Sequence, residues 1–349
     1  MTEPSVAHLG LGAFSRAHQA WYSQVAGDAI VAIPNRSTAI IDRLREQDFR
    51  YGLLVRSPES DSASVIESVV AVSSDALADP AIAVVTMTVT EAGYLPGAHP
   101  IDVLVEGLRA RRDADAGPVA IVPCDNVPSN GHTLRDAILR VAEPDLAPWI
   151  DSTVSFVSTM VDRIAPAVTE ADRATARELL GWDDQIPVVA EPFTEWVLQG
   201  DFPAGRPAWE VAGAQFVVDV TPYENRKLWL LNAAHSLLAY RGLETGHRAI
   251  ADAFADPVLA AEVEQLWTEA REVLDLPPDS VDEWLAALRG RFANGRIEHL
   301  LSQVARGGEQ KIPARIQSVI DRRAEAGLAP GTAELETIAA WERFRRAQQ

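Results

Sequence analysis

Cysteine is almost absent. The single Cys124 rules out an internal disulfide and any cysteine-rich zinc site. It closes the apolar run Val119-Ala120-Ile121-Val122-Pro123, which makes it a buried structural thiol rather than a nucleophile. No apolar run is long enough to span a membrane. Met1-Thr2-Glu3-Pro4-Ser5 lacks the basic and apolar regions of a signal peptide, so a cytoplasmic location is expected. Basic residues are scarce: 31 Lys and Arg stand against 50 Asp and Glu, a net charge of −19. Such a surface repels phosphate backbones and argues against a nucleic-acid partner. The locally basic Arg343, Arg345 and Arg346 read as a solvated helix face. The seven histidines show no ligand spacing such as His-Glu-x-x-His, and no metal is expected. What remains is an ordinary globular composition, 47% hydrophobic and 23% charged over 349 residues, enough for two domains.

The first part of the chain alternates short apolar runs with helical stretches. Strands are predicted at Val6–Leu11, Ala29–Ile33, Tyr51–Val55, Val65–Val72, Ala81–Val89 and Val119–Pro123. Helices are predicted at Arg16–Val25, Ser37–Gln47, Ile101–Arg112 and Thr133–Ala142. This alternation points to a mostly parallel sheet covered on both faces. After about residue 220 helical patterns dominate: Pro222–Arg241, Pro257–Val273, Val281–Arg289, Ala314–Ala326 and Ala333–Arg346, with Pro222 as a helix start and Gly242 as a stop. The expected fold is α/β: an N-terminal Rossmann-like domain over residues 1–220 and a mainly α-helical substrate-binding domain over 221–349.

One run carries unexpected chemistry. Lys227-Leu228-Trp229-Leu230-Leu231-Asn232-Ala233-Ala234-His235-Ser236 is mostly apolar and reads as a buried helix, yet it holds an ammonium, a carboxamide and an imidazole. Burying these is costly unless each has a partner or a task. A dry site disfavours the charged form of lysine and makes it a usable base. At ~100° per residue the three side chains fall within an arc of roughly 140° on one helix. Bland readings stand beside this one. Lys227 can stretch its amine to water, Asn232 can bond a neighbouring loop, and His235 can be a satisfied core histidine.

Between the first strand and the first helix lies Gly10-Leu11-Gly12-Ala13-Phe14-Ser15. Two glycines let the backbone turn tightly and approach a pyrophosphate, and the helix start offers free N–H groups. Ser15 stands where the usual fingerprint has a third glycine. After the second strand come Pro34-Asn35-Arg36-Ser37, with no acid to hold the ribose hydroxyls of NAD. Arg36 and Ser37 can hold a ribose phosphate instead, which tilts the expected nicotinamide cofactor, NAD(P)H, towards NADP. The alternative is that Arg36 is merely solvated and the cofactor is NAD.

With these features the chain resembles the long-chain mannitol dehydrogenase family of polyol dehydrogenases and uronate reductases. The resemblance spans nearly the whole sequence. It rests on Gly10 to Ala20, Thr88-Val89-Thr90-Glu91-Ala92-Gly93-Tyr94, Cys124-Asp125-Asn126-Val127-Pro128-Ser129-Asn130-Gly131, Ser158 to Ile164, Glu191-Pro192-Phe193, Gly205 to Glu210, the Lys227 run, and Gln310-Lys311-Ile312-Pro313-Ala314-Arg315. It implies Lys227 as general base, Asn232 and Asn126 as holders of the reacting oxygen, and His235 as a substrate-binding histidine. It implies cofactor contacts from Gly10, Gly12, Ala13, Phe14, Arg16, Asn35, Arg36, Thr88, Val161 and Asp162. Asn130, Lys311 and Arg315 are expected on the substrate side. Members are often monomers, so a monomer or small homo-oligomer is expected. The departures are a shorter chain, Trp229 where many members carry arginine, and His299-Leu300-Leu301 in place of a His-Arg-Thr pattern.

The expected activity is metal-independent interconversion of a sugar alcohol and a ketose with NAD(P). Reduction of an anionic sugar, a uronate or sugar phosphate held by Lys311 and Arg315, is the nearest alternative. A nucleotide-binding sensor or scaffold without turnover is the alternative from another class. Tyr223-Glu224-Asn225-Arg226-Lys227 has the Tyr-x-x-x-Lys spacing of short-chain dehydrogenases. The Gly-x-Gly turn is not the turn of that group, and the motif lies too far along the chain.

Overall fold

The computed structural model describes residues 3–35 and 38–348. These form two compact units. One comprises the chain up to residue 56 and residues 60–220; the other comprises residues 57–59 and the chain from 221 onward.

The first unit is built on six parallel strands, in spatial order Val69–Val72, Ile30–Ile33, Val6–Leu9, Val84–Met87, Val119–Pro123 and Val154–Phe156. Numbered along the chain this is the order 3-2-1-4-5-6 of a dinucleotide-binding sheet, with its switch point between the first and fourth strands. The strands at Val6, Val84 and Val119 are buried along their whole length, as expected where both faces are covered. Alternate residues serve opposite faces. Val6, Val84, Ala120 and Val122 join a core with Ala17, Ala20 and Tyr22. Ala7, Leu9, Val85, Met87 and Ile121 join another with Ile101, Leu104 and Leu108 of helix His99–Asp113 and with Leu134 and Ile138 of helix Asn130–Val141.

Two smaller sheets complete this unit. The hairpin Tyr51–Arg56 and Asp61–Ile66 pairs with Val188–Ala190. Ser158–Asp162 pairs antiparallel with Glu195–Gln199, which pairs with Gln215–Phe216. The predicted strand Val65–Val72 is thereby split between two sheets. At the crossing, the Ser68 hydroxyl donates to the Ala20 carbonyl at 2.7 Å, and the Ser68 carbonyl accepts from the Ile30 amide at 2.7 Å. The predicted helix Arg16–Val25 is also broken, into Ala13–Ala17 and Gln19–Val25. The break is at His18, whose buried imidazole meets the Glu195 carbonyl at 2.9 Å and packs between Phe14 and Tyr22. Helices Ala147–Thr153 and Glu170–Leu180 and the three strands after Ser158 lay outside the sequence reading.

The second unit is helical. Its centre is Ala233–Glu244, with nine of its twelve residues buried, as for a helix enclosed on all sides. Pro257–Arg271, Thr332–Ala347 and Leu301–Val304 pack around it. Gly242 does not stop this helix, which runs on to Glu244. A Cβ there would lie 2.7 Å from Leu301 Cδ1 and 3.0 Å from Ala253 Cβ, so close packing requires the glycine. Two segments are π-helical: Lys227–Asn232, between Thr221–Arg226 and Ala233–Glu244, and Pro313–Gln317, between Gly308–Ile312 and Ser318–Glu325. Among the described residues no helix is long and apolar enough to cross a membrane.

Candidate active site

In the first unit the glycine turn sits at the switch point. Gly10 has φ +93°, and a Cβ on it would lie 3.2 Å from the Thr88 carbonyl oxygen. Left-handed backbone and close approach both require glycine here. Three side chains converge on the Gly10 carbonyl: His8 Nε2 at 2.7 Å, Ser15 Oγ at 2.9 Å and Thr88 Oγ1 at 3.0 Å. Since a carbonyl only accepts, Nε2 carries the imidazole proton, and Nδ1, 2.7 Å from Thr86 Oγ1, accepts from that hydroxyl. Burial pushes the proton affinity of His8 down to about 4, against the opposing effect of its bond to Gly10. The imidazole is therefore a neutral donor. Ser15, in place of a third glycine, folds its hydroxyl back onto the turn, also reaching the Gly12 carbonyl at 3.2 Å.

In front of the turn there is room. Nothing lies within 4 Å of a Cβ built on Gly12, and the following helix start carries no acid. Half-buried Ala13 and Phe14 open that helix. Beside the second strand a cavity of about 400 Å³ is lined by Ile33, Pro34, Asn35, Asp75, His99 and Glu106, among others. The Asn35 amide nitrogen also comes within 3.9 Å of the position a Gly10 Cβ would take. A glycine cradle next to such a cavity fits a dinucleotide. Arg36 and Ser37, on which the expected NADP preference rests, lie outside the described residues.

Two of the expected contact residues point into the protein. Arg16 turns inward: it is 5% exposed, donates to the Ile186 carbonyl and lies 5.3 Å from the Tyr51 ring centre. It ties helix Ala13–Ala17 to the small sheet that holds Tyr51 and Val188. Asn130 is fully buried. Its carboxamide accepts from the Thr159 amide at 2.8 Å and donates towards the Pro123 and Thr159 carbonyls at 3.2 Å. It anchors the start of helix Asn130–Val141 to strand Ser158–Asp162. Asn126, four residues earlier, is exposed on the loop after Pro123. Val161 and Asp162 are buried on strand Ser158–Asp162. Cys124 is buried, its thiol 3.4 Å from the Val122 carbonyl, and burial raises its pKa well above the usual thiol value.

In the second unit the Lys227 run differs from the regular helix predicted. Lys227–Asn232 is π-helical, and its i→i+5 bonding widens the turn. Lys227 and Asn232 are therefore closer in angle than the roughly 140° that separates such a pair in an α-helix. Both are half-buried. The Asn232 carboxamide makes no hydrogen bond among the described residues, whereas its main-chain carbonyl accepts from Ser236 Oγ and Arg315 Nη1, each at 3.2 Å. His235 is buried against Phe292 and His299, both with ring centroids 4.9 Å away. Burial first, then the positive charges of His299, Arg315, Arg291 and Lys311, hold its pKa well below the normal imidazole value. Lys311 Nζ donates to the Val304 carbonyl at 2.9 Å; burial and Arg315 lower its pKa. Burial pushes Arg315 down to about 10. The Tyr223 ring is covered by the Arg226 guanidinium at 5.3 Å.

Sequence reasoning missed His8, although an imidazole inside the run Val6-Ala7-His8-Leu9 was itself the signal: a polar group on a strand buried on both faces needs partners. It also missed Trp229, whose indole donates to Ser318 Oγ at 3.0 Å.

Comparison with known proteins identifies the family. The model of the mannitol dehydrogenase Rossmann domain matches residues 4–211, and that of the mannitol dehydrogenase C-terminal domain matches residues 219–349. The chain is 33% identical to the D-mannonate oxidoreductase of Escherichia coli, over 90% of this chain and 74% of that protein. It is 32% identical to the mannitol 2-dehydrogenase of Cereibacter sphaeroides, over 94% and 78%. The structure of Pseudomonas fluorescens mannitol 2-dehydrogenase with NAD and D-mannitol superposes with a TM-score of 0.84 at 32% identity, covering 97% of this chain and 78% of that one. The chain belongs to the mannitol dehydrogenase family of NAD(P)-dependent oxidoreductases that act on CH–OH groups.

Proposed function

We propose that the protein interconverts a sugar alcohol and a ketose, with Lys227 as the acid/base. The observation that carries this is a π segment that begins at Lys227 and ends at Asn232, whose carboxamide makes no hydrogen bond among the described residues. A bound nicotinamide dinucleotide supplies hydride acceptance or donation. The residues do the rest. In oxidation, neutral Lys227 Nζ takes the hydroxyl proton of the substrate. As charge builds on that oxygen, the Asn232 amide donates to it, an interaction worth about 2.7–4 kcal/mol per donor in well-studied enzymes. Asn126 is the second proposed donor. His235, neutral and buried, orients a sugar hydroxyl without adding charge. In reduction, protonated Lys227 returns the proton.

The test is Lys227→Ala. Turnover should fall by about 10²–10⁴, the usual contribution of a positioned acid/base, with cofactor affinity unchanged. A variant that kept the wild-type rate between about pH 6 and 9 would refute the assignment.

An acidic sugar is the second reading. The cationic Arg315, Arg291 and Lys311 around His235 create a positive field in a chain of net charge −19, which favours a carboxylate-bearing substrate. A kinetic panel of polyols, ketoses and sugar acids with both cofactors separates the two. Absence of NAD(P)H turnover throughout would favour a sensor or scaffold instead.

The NADP preference is a finer proposal that rests on Arg36. The carboxylates of Asp75 and Glu106 line the same cavity as Asn35 and would oppose an added phosphate. The ratio of kcat/KM for NADP and NAD therefore decides it.

A further inference from the structure

Both π segments of the second unit lie in the same place. Lys227–Asn232 and Pro313–Gln317 pack against each other, although π turns account for well under 1% of residues in globular proteins. Two ties join them. Trp229 Nε1 donates to Ser318 Oγ at 3.0 Å. Arg315 Nη1 donates to the Asn232 carbonyl and to Ser236 Oγ, each at 3.2 Å. Ser236 Oγ in turn donates to the Asn232 carbonyl at 3.2 Å. The carbonyl at the junction of π and α geometry is thus held from two sides.

The consequence for Asn232 is direct. Its carboxamide makes no hydrogen bond among the described residues, so its placement depends on the backbone that carries it. That backbone is fixed where Arg315 grips it. A guanidinium suits the task because its planar fork can bond two acceptors at once.

We propose that Arg315 is a positioning residue for the reaction: it acts through Asn232 by clamping the π–α junction, and it is not primarily a ligand of the substrate. This rests on the role of Asn232 proposed above.

The experiment is a double-mutant cycle of Arg315→Met and Asn232→Ala, assayed on the polyol turned over fastest in the panel and on D-mannonate, with cofactor affinity and thermal unfolding measured alongside. R315M should lower kcat at least tenfold on the neutral polyol, with cofactor Kd within twofold of wild type. In the N232A background the same change should cost less than twofold, because the residue it positions is already gone. R315K should fall between wild type and R315M.

Full kcat in R315M with a raised KM confined to D-mannonate would make Arg315 a substrate ligand and overturn the proposal. So would equal losses in both backgrounds, which mark a merely structural role. If R315M does not fold, Ser236→Ala removes one acceptor of the clamp and should show a smaller kcat loss with the same dependence on Asn232; additive losses there overturn the proposal equally. If N232A alone kept wild-type kcat, the assignment of Asn232 would fall and this proposal with it. If N232A were impaired and R315M were not, only the proposal for Arg315 would fall.

Discussion

Replacing His8 by leucine removes the shortest of the three bonds to the Gly10 carbonyl and leaves the turn to Ser15 and Thr88. Thr86 loses its ring-nitrogen acceptor, and its hydroxyl can turn to the Ala7 carbonyl 3.3 Å away. Losing one buried donor costs about 1–2 kcal/mol. To the extent that this loosens the turn, cofactor Kd rises by about 5–30-fold. Glutamine can place an amide N–H near the position of Nε2 and should restore most of the affinity. The assay is a fluorescence titration with NADH and NADPH, paired with urea unfolding at pH 7.5 and pH 5. The pH arm has a definite sign. The pKa of His8 is about 4 in the fold against 6.5 for an ordinary imidazole, so between these values the unfolded chain binds a proton that the fold rejects. The associated stability is complete above pH 6.5, falls as pH drops towards 4, and amounts to roughly 2 kcal/mol lost by pH 5. The His8→Leu variant should lack that part of the acid loss. An H8L protein with cofactor Kd within twofold of wild type and an unchanged acid limb would refute the reasoning.

Further outcomes are expected. Arg36→Ala should lower kcat/KM for NADP relative to NAD by about tenfold or more, the scale of a charge-assisted bond of roughly 1.5–3 kcal/mol; equal loss with both cofactors, read in parallel initial-rate series, removes the NADP argument. Gly242→Ala should destabilise the helical unit by about 1–3 kcal/mol through overpacking against Leu301 and Ala253, seen as a lower melting temperature with unaltered NADH affinity. Asn232→Ala should lower kcat by about 10²–10³ and leave thermal stability nearly unchanged, since among the described residues no group loses a side-chain hydrogen bond; a large drop in melting temperature would show that the amide is structural.

The α/β framework was legible because parallel strands buried on both faces appear as uninterrupted apolar runs, as at Val119–Pro123. Smaller events were not. The sheet change at Ser68 and the helix break at His18 are caused by partners distant in sequence, Ile30 and Glu195. The glycine turn could be located from spacing, yet spacing could not tell which polar neighbours face a ligand. Arg16 and Asn130 flank promising turns and both point into the protein. Lys227 and Asn232 were marked by their cost in an apolar run. Their alignment was hidden, because a π turn depends on Arg315 and Trp229 finding partners across the unit.

A π turn accommodates one residue more than an α turn between the same two faces. A relative lacking one residue between Lys227 and Asn232 would present the same pair at the four-residue interval of an ordinary helix, with the amine and the amide again neighbours. Two different intervals along the chain therefore encode one spatial pair, and a search that demands a fixed Lys-to-Asn interval would separate proteins whose chemistry is the same.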